Sequence, residues 1–195
     1  EELAVRLSKV GIAGTDTIVV YGNGTPSAVT RAWWVLRVAG AADVRVLDGG
    51  LRRWQAEGGP VASGMETPAP AQFVPRPRRD LIAICDDVLA ALDNPAIGLI
   101  NALTAEQFRG TGGAHYGRPG RIPNSLSLPA RALVDEAGQY RPYDEIEALV
   151  TAADFDRFDH LITYCGGGIA ASTVHLIPVT FYTSDAADEL PRLLV

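Results

Sequence analysis

The chain has 195 residues, 47% hydrophobic and 21% charged, with a formal net charge of −6. This is an ordinary globular composition, long enough for one large core or two small ones. A negative balance without clustered basic residues excludes a nucleic-acid surface, and no run approaches the roughly 18 apolar residues of a membrane span. These residues show no basic start followed by an apolar segment, so no secretory signal is visible. Two cysteines do not make a disulfide framework, and the cytoplasm is the expected compartment.

From the amino end, Glu1-Glu2-Leu3 opens an amphipathic helix, and Asp16-Thr17-Ile18-Val19-Val20-Tyr21 reads as a buried strand running into a glycine-containing loop at Gly22. A helix from about Ser27 to Ala39 carries Trp33 and Trp34, whose spacing predicts core or interface packing, not a cofactor platform. Strand Val44 to Leu47 and Asp48-Gly49-Gly50 follow. Trp54, on the next short helix, reads the same way as the other tryptophans. Between Glu57 and Arg79 the prolines at 60, 68, 70, 75 and 77 leave little periodicity, which predicts a semi-extended linker over residues 59–79 between units 1–58 and 80–195.

The second unit begins at Cys85, beside Asp86 and Asp87, which disfavour a thiolate there, so Cys85 reads as structural. Helix Asp86 to Leu92, strand Ile97 to Ala102 and a helical turn at Ala105 to Phe108 come next. The long glycine-rich loop Gly110 to Asn124 has a length that usually signals function. Lys9 is the only lysine, and four arginines, Arg109, Arg118, Arg121 and Arg131, fall between 105 and 131. Arginine suits geometric recognition of small oxyanions. Each alone reads as a solvated surface charge, whereas together with the surrounding glycines they can face an anionic substrate.

The most informative segment is Leu161-Ile162-Thr163-Tyr164-Cys165-Gly166-Gly167-Gly168-Ile169-Ala170. It reads as strand, thiol, glycine loop and helix start. A cysteine at the carboxyl end of a parallel strand lies where open α/β sheets present ligands. Glycines let the amides of Gly166, Gly167, Gly168, Ile169 and Ala170 curl round one atom as an anion nest. The helix start adds its positive dipole end, so Cys165 is the expected nucleophile, held as a thiolate. The alternative is a packed core thiol beside a tight turn. Ala170 to Ile177 is a short crossover, which Pro178 is expected to end.

The two halves repeat. A constant offset of 143 carries Asp16–Tyr21 onto Asp159–Tyr164 and Glu1-Glu2-Leu3 onto Asp144-Glu145-Ile146. Repeated helix and strand units predict an α/β fold with parallel sheets covered by helices on both faces. Cys165 corresponds to Gly22, so the second copy alone can supply a nucleophile. By the same comparison, the first domain looks amino-terminally incomplete, and the interval from Tyr164 to Tyr182 is shorter than that from Tyr21 to Leu47. His115, His160 and His175 lack metal-site spacing and read as surface or packing residues, with no metal or organic cofactor expected.

Val19-Val20-Tyr21, Arg31-Ala32-Trp33-Trp34, Val46-Leu47-Asp48-Gly49-Gly50-Leu51 and Trp54 resemble the inactive first domain of tandem-domain rhodaneses, the thiosulfate and 3-mercaptopyruvate sulfurtransferases. Leu99-Ile100-Asn101-Ala102, Phe108-Arg109-Gly110, Gly117-Arg118-Pro119-Gly120-Arg121-Ile122-Pro123 and Tyr164-Cys165-Gly166-Gly167-Gly168-Ile169 resemble the second, active one. The resemblance implies two rhodanese-like domains and a double displacement. The cysteine takes the outer sulfur of a small anionic donor as a persulfide and passes it to cyanide or another thiophilic acceptor.

The chain departs from that family in places. The usual Asp-x-Arg at the strand end is Asn101-Ala102-Leu103, and Gln107 stands where the family has a donor-contacting arginine. Gly-His-Ile-Pro-Gly appears as Gly120-Arg121-Ile122-Pro123-Asn124, so Arg118 or Arg121 is expected to supply the missing charge. Gly166, Gly167 and Ala170 replace the polar loop residues that distinguish the two donor types, which predicts a weak or broad donor preference. Two other readings are open. A dual-specificity phosphatase would need an arginine six residues after the cysteine, where this chain has Ala171. A catalytically weak binding or regulatory module would account for the lost arginines.

Overall fold

The structure, a computed structural model, describes residues 2–113, 117–181 and 192–194, with 178–181 and 192–194 described by backbone alone. His115 and Tyr182 lie outside the described residues. Contacts divide the chain into two units, residues 1–79 and 80–195.

In the first unit, helix α1 (Glu2–Lys9) leads to strand β1 (Thr17–Val20), helix α2 (Pro26–Ala39), strand β2 (Asp43–Val46) and helix α3 (Gly50–Ala56). Proline at the start of α2 and Gly40 at its end (φ 98°) mark both boundaries. A side chain at Gly40 would collide with the Arg76 carbonyl as well as resist that φ. Trp33 and Trp34 are buried, as their spacing predicts, and the Trp33 indole N–H donates to Val44 O at 2.8 Å. Cutting back a buried tryptophan costs about 3–5 kcal/mol, so α2 anchors this unit.

Two expectations for this unit need correction. Trp54 is 41% exposed, not in a core. Its indole N–H donates to Pro60 O at 2.9 Å and its ring lies against Gly59, so it folds back on its own chain. Strand β1 is not buried either: Val19 is 50% exposed. The reason is topological, since β1 and β2 form a two-stranded parallel sheet in which β1 has no second neighbour among the described residues.

The proline-rich stretch after α3 contains no helix or strand until a 3₁₀ turn at Arg79–Leu81. Its second half is nonetheless fastened to the first unit. Phe73 is buried, the Phe73 N–H donates to Ser8 Oγ at 2.9 Å, and the Arg76 and Arg78 amides donate to Ala39 O and Val38 O.

The second unit runs helix α4 (Cys85–Leu92), strand β3 (Ile97–Asn101), helix α5 (Ala105–Arg109), strand β4 (Leu126–Ser127), helix α6 (Tyr143–Ala152), strand β5 (His160–Tyr164), helix α7 (Ile169–Phe181) and strand β6 (Arg192–Leu194). The strands form one parallel sheet in the order β4-β3-β5-β6, with Asn101 opposite Tyr164. Both faces are covered, as continuous apolar strands require. Ile100 and Leu161 join Ile146, Val150, Val174 and Ile177 in one core, while Leu99 and Ile162 join Ala91, Val88 and Leu92 in the other.

Two further corrections belong here. Pro178 does not end the crossover helix, because α7 continues to Phe181. A proline this near the carboxyl end removes one helical hydrogen bond, while Val174 and Ile177 just before it are locked in the core. Cys85, expected to be a structural packing residue, is exposed at the first position of α4, whose buried side is formed by Val88, Ala91 and Leu92.

Candidate active site

Strand β5 carries Cys165 to the carboxyl edge of the sheet, and the chain turns through Gly166, Gly167 and Gly168 into α7. The Gly168 N–H donates to Cys165 Sγ at 3.1 Å. Gly168 can do so because its φ of 73° lies in the left-handed region that favours glycine. Negative charge on the sulfur strengthens a bond of this kind, and the amino end of α7 adds its positive dipole. Of the five amides expected around the sulfur, that of Gly168 supplies this bond. Gly166, Gly167 and Ile169 are exposed and Ala170 is half-buried. Cys165 itself is half-buried, packed on one side against the core that contains Ile100 and Leu161.

Its other side lines an open cleft of about 740 Å³ that brings together residues far apart in sequence: Asn101, Leu103, Gln107, Arg118, Arg121 and Tyr164. No acidic side chain lines this cleft among the described residues, so two arginines face it in a chain of net charge −6. Walls of one sign concentrate small ions of the other. Arg121 lies 4.5 Å from the Phe108 ring centroid and donates to Phe108 O at 3.5 Å, while Arg118 has no ion-pair partner among the described residues. The other two arginines of the sequence cluster are not in the lining. Arg109 sits 3.7 Å from Glu106, and Arg131 is exposed elsewhere. The carboxyl of Glu106 is held below its usual range, first by its own backbone N–H, then by Thr104 and Arg109.

Gln107 lines the cleft but has a second task. Its N–H donates to Thr104 Oγ1 and its Oε1 accepts from the Thr104 N–H, both at 3.3 Å, a reciprocal cap on α5. The pattern Thr104-x-x-Gln107 is the sequence signature of that cap. Asn124, where the family motif has glycine, adopts φ 62°, a conformation asparagine tolerates better than most residues.

A closed hydrogen-bond ring around Tyr164 was not visible from sequence. The Ile122 N–H donates to Tyr164 Oη at 3.0 Å, Oη donates to Ser125 Oγ at 2.8 Å, and the Ser125 hydroxyl donates to Ile122 O at 2.7 Å. The ring ties the arginine-bearing loop to the residue just before Cys165. Ala171, sixth after the cysteine, is fully buried, which leaves no guanidinium position there for phosphate. Among the described residues no cluster of three potential metal ligands exists; His160 is exposed and His175 buried. No helix among those residues is long and apolar enough to cross a membrane.

Comparison with known proteins agrees with this architecture. Residues 2–57 match the Rhodanese-like domain family. Over 174 residues the chain is 31% identical to a Mycobacterium tuberculosis protein provisionally named thiosulfate sulfurtransferase SseB, covering 88% of this chain and 61% of that protein. It is 29% identical over 181 residues to the human 3-mercaptopyruvate sulfurtransferase, covering 90% of this chain and 61% of that one. The crystal structure of SseA from Escherichia coli, described as showing the rhodanese fold of 3-mercaptopyruvate sulfotransferases, aligns with 100% of this chain and 71% of its own at 28% identity and a TM-score of 0.83. The chain therefore spans about six-tenths of the length of the two sequence relatives. The helix-covered parallel sheets are those of the rhodanese fold, and the match of residues 2–57 assigns the first unit to the Rhodanese-like domain family.

Proposed function

We propose that this chain transfers a sulfane sulfur from a small anionic donor, thiosulfate or 3-mercaptopyruvate, to cyanide or another thiophilic acceptor through a persulfide on Cys165. The observation that carries the reading is the Gly168 N–H on Cys165 Sγ, 3.1 Å away, at the wall of a cleft lined by Arg118 and Arg121 and, among the described residues, by no carboxylate. The names of the relatives support donors of this class.

In the first half-reaction the Cys165 thiolate attacks the outer sulfur of the donor. A new S–S bond forms, and the old bond to sulfur breaks with its electron pair leaving on sulfite, or on the pyruvate enolate, which then takes a proton. In the second, the acceptor attacks the terminal persulfide sulfur and the electron pair returns to Cys165 as thiolate. Cyanide becomes thiocyanate, and no net redox change or cofactor is involved. The Gly168 amide and the α7 dipole stabilise the anion in both enzyme states, as an oxyanion hole does for oxygen. Arg118 and Arg121 hold the donor's anionic end. The first unit, with Gly22 at the corresponding position, is the non-catalytic member of the tandem pair, and a reducing cytoplasm keeps the thiol free. A second reading, a weakly active binding module, draws on Gln107, whose side chain is committed to capping α5.

The test is intact mass after incubation with each donor. One added sulfur that cyanide discharges as thiocyanate, absent in Cys165→Ser, supports transfer. A folded sample that gains no sulfur from either donor supports the binding module.

A further inference from the structure

At the carboxyl end of α5 the last carbonyls find different partners. The Gly110 and Thr111 amides donate to Gln107 O and Glu106 O, as at an ordinary helix end. Phe108 O instead accepts from Arg121 Nη1 at 3.5 Å, and the same guanidinium lies over the Phe108 ring, 4.5 Å from its centroid. The loop backbone beside Arg121 is pressed against this helix end, because a Cβ at Gly110 would stand 3.1 Å from Gly120 N. On the other side Arg121 adjoins Ile122, whose N–H is held by Tyr164 Oη. Arg121 is therefore fixed at a ring, at a carbonyl and through both chain neighbours. It is nonetheless exposed, lines the cleft, and makes no further hydrogen bond or ion pair among the described residues.

We propose that Phe108 is a positioning residue for donor recognition: its ring and carbonyl hold the Arg121 guanidinium at the cleft wall, so that Arg121 meets the donor's sulfonate-type or carboxylate oxygens already ordered. The identity of this anion rests on the sulfur-transfer reading. Stacking occupies the face of a guanidinium and leaves the N–H groups on its edge for two-point contact with an oxyanion. A long, exposed side chain loses rotamer freedom when a ligand captures it, and one already seated on a ring has less to lose.

Phe108→Leu removes the ring while keeping an apolar side chain and the carbonyl, and Phe108→Tyr keeps the ring. Calorimetric titration in the Cys165→Ser background isolates binding from chemistry, with thiosulfate and 3-mercaptopyruvate as separate arms that identify which oxyanion is read. In at least one arm Phe108→Leu should weaken binding about two- to fivefold, the size of an exposed cation–π contact, and Phe108→Tyr should restore it. In an Arg121→Gln background, itself weaker, Phe108→Leu should have no further effect, since a contact that acts through Arg121 disappears with it. The Arg121 Nε–H signal in the nitrogen–proton spectrum of Cys165→Ser should lie upfield under the ring and move when that donor is added, a readout that needs no substitution at Phe108. Unchanged affinity in Phe108→Leu, an equal loss with and without Arg121, an Arg121 signal at the position of a free arginine, or no binding of either donor would overturn the proposal. Persulfide formation by the unsubstituted chain is read separately by mass. Sulfur uptake with Phe108 indifferent keeps the transfer reading and loses this one, whereas donor binding that depends on Phe108 in a chain that takes up no sulfur does the reverse.

Discussion

Tyr164→Phe tests how the site is held. The substitution removes one oxygen, which accepts from the Ile122 N–H at 3.0 Å and donates to Ser125 Oγ at 2.8 Å. Ser125 keeps its own bond to Ile122 O, so the orphan left behind is a half-buried backbone N–H. Two neutral hydrogen bonds contribute about 0.5–1.5 kcal/mol each, and water recovers part of that at a half-buried amide, which leaves a loss of about 1–2 kcal/mol. The loss falls on the loop that carries Arg118 and Arg121, making its opening about 5–30 times easier. Hydrogen exchange at the Ile122 amide should accelerate by about that factor, and the donor KM should rise with kcat changing less, while the far-ultraviolet spectrum stays the same. Unchanged Ile122 exchange together with an unchanged KM would refute the view that this ring positions the arginine loop.

The other predictions concern the same wall of the cleft. Gly168→Ala places a Cβ at φ 73°, a strain of about 1–2 kcal/mol, and should lower both the melting temperature and the rate of persulfide formation. Gly167→Ala meets no atom within 4 Å and has no positive φ, so a melting temperature lowered as much as in Gly168→Ala would contradict the strain argument. Charge reversal at Arg118 or Arg121 should raise the KM for thiosulfate more than it alters kcat, read by steady-state kinetics; unchanged donor affinity in both variants would remove the arginines from donor binding. Asn124→Val, a β-branched residue forced to φ 62°, should destabilise the chain by about 1–3 kcal/mol in denaturant unfolding, with Asn124→Gly close to neutral.

Periodicity and punctuation carried much of the architecture. The runs that became α2, β3 and β5 were legible because their apolar residues are local in sequence and long enough to show a period, and the offset of 143 aligned β1 with β5 and α1 with all but the first two residues of α6. Cys165 stood out because a thiol followed by three glycines has few structural uses. Burial was harder to read. Val19 looks like Ile162 in sequence, but Ile162 lies in a four-stranded sheet between two helical layers and Val19 does not. Trp54 and Cys85 failed for the same reason, since what covers a residue is decided by distant chain. Pro178 shows a local rule yielding to core packing one turn earlier.

The site divides along the same line. Thr104-x-x-Gln107 announces its cap, which is a physical reason for glutamine at that position. The Tyr164 ring joins positions 42 and 39 residues apart and leaves no sequence trace. Asn101 was visible as a departure from the family pattern, but its unpaired Nδ2 emerges only once Leu103 has claimed the oxygen.

Because the chain holds two free cysteines in different settings, locating the transferred sulfur is decisive. After exposure to thiosulfate or 3-mercaptopyruvate, digestion under non-reducing conditions and peptide mass analysis should find the extra sulfur on the peptide containing Cys165, labile to cyanide, with the Cys85 peptide unmodified. Sulfur on Cys85, on both peptides equally, or on neither would contradict a mechanism in which the glycine loop and its helix make Cys165 the sulfur carrier.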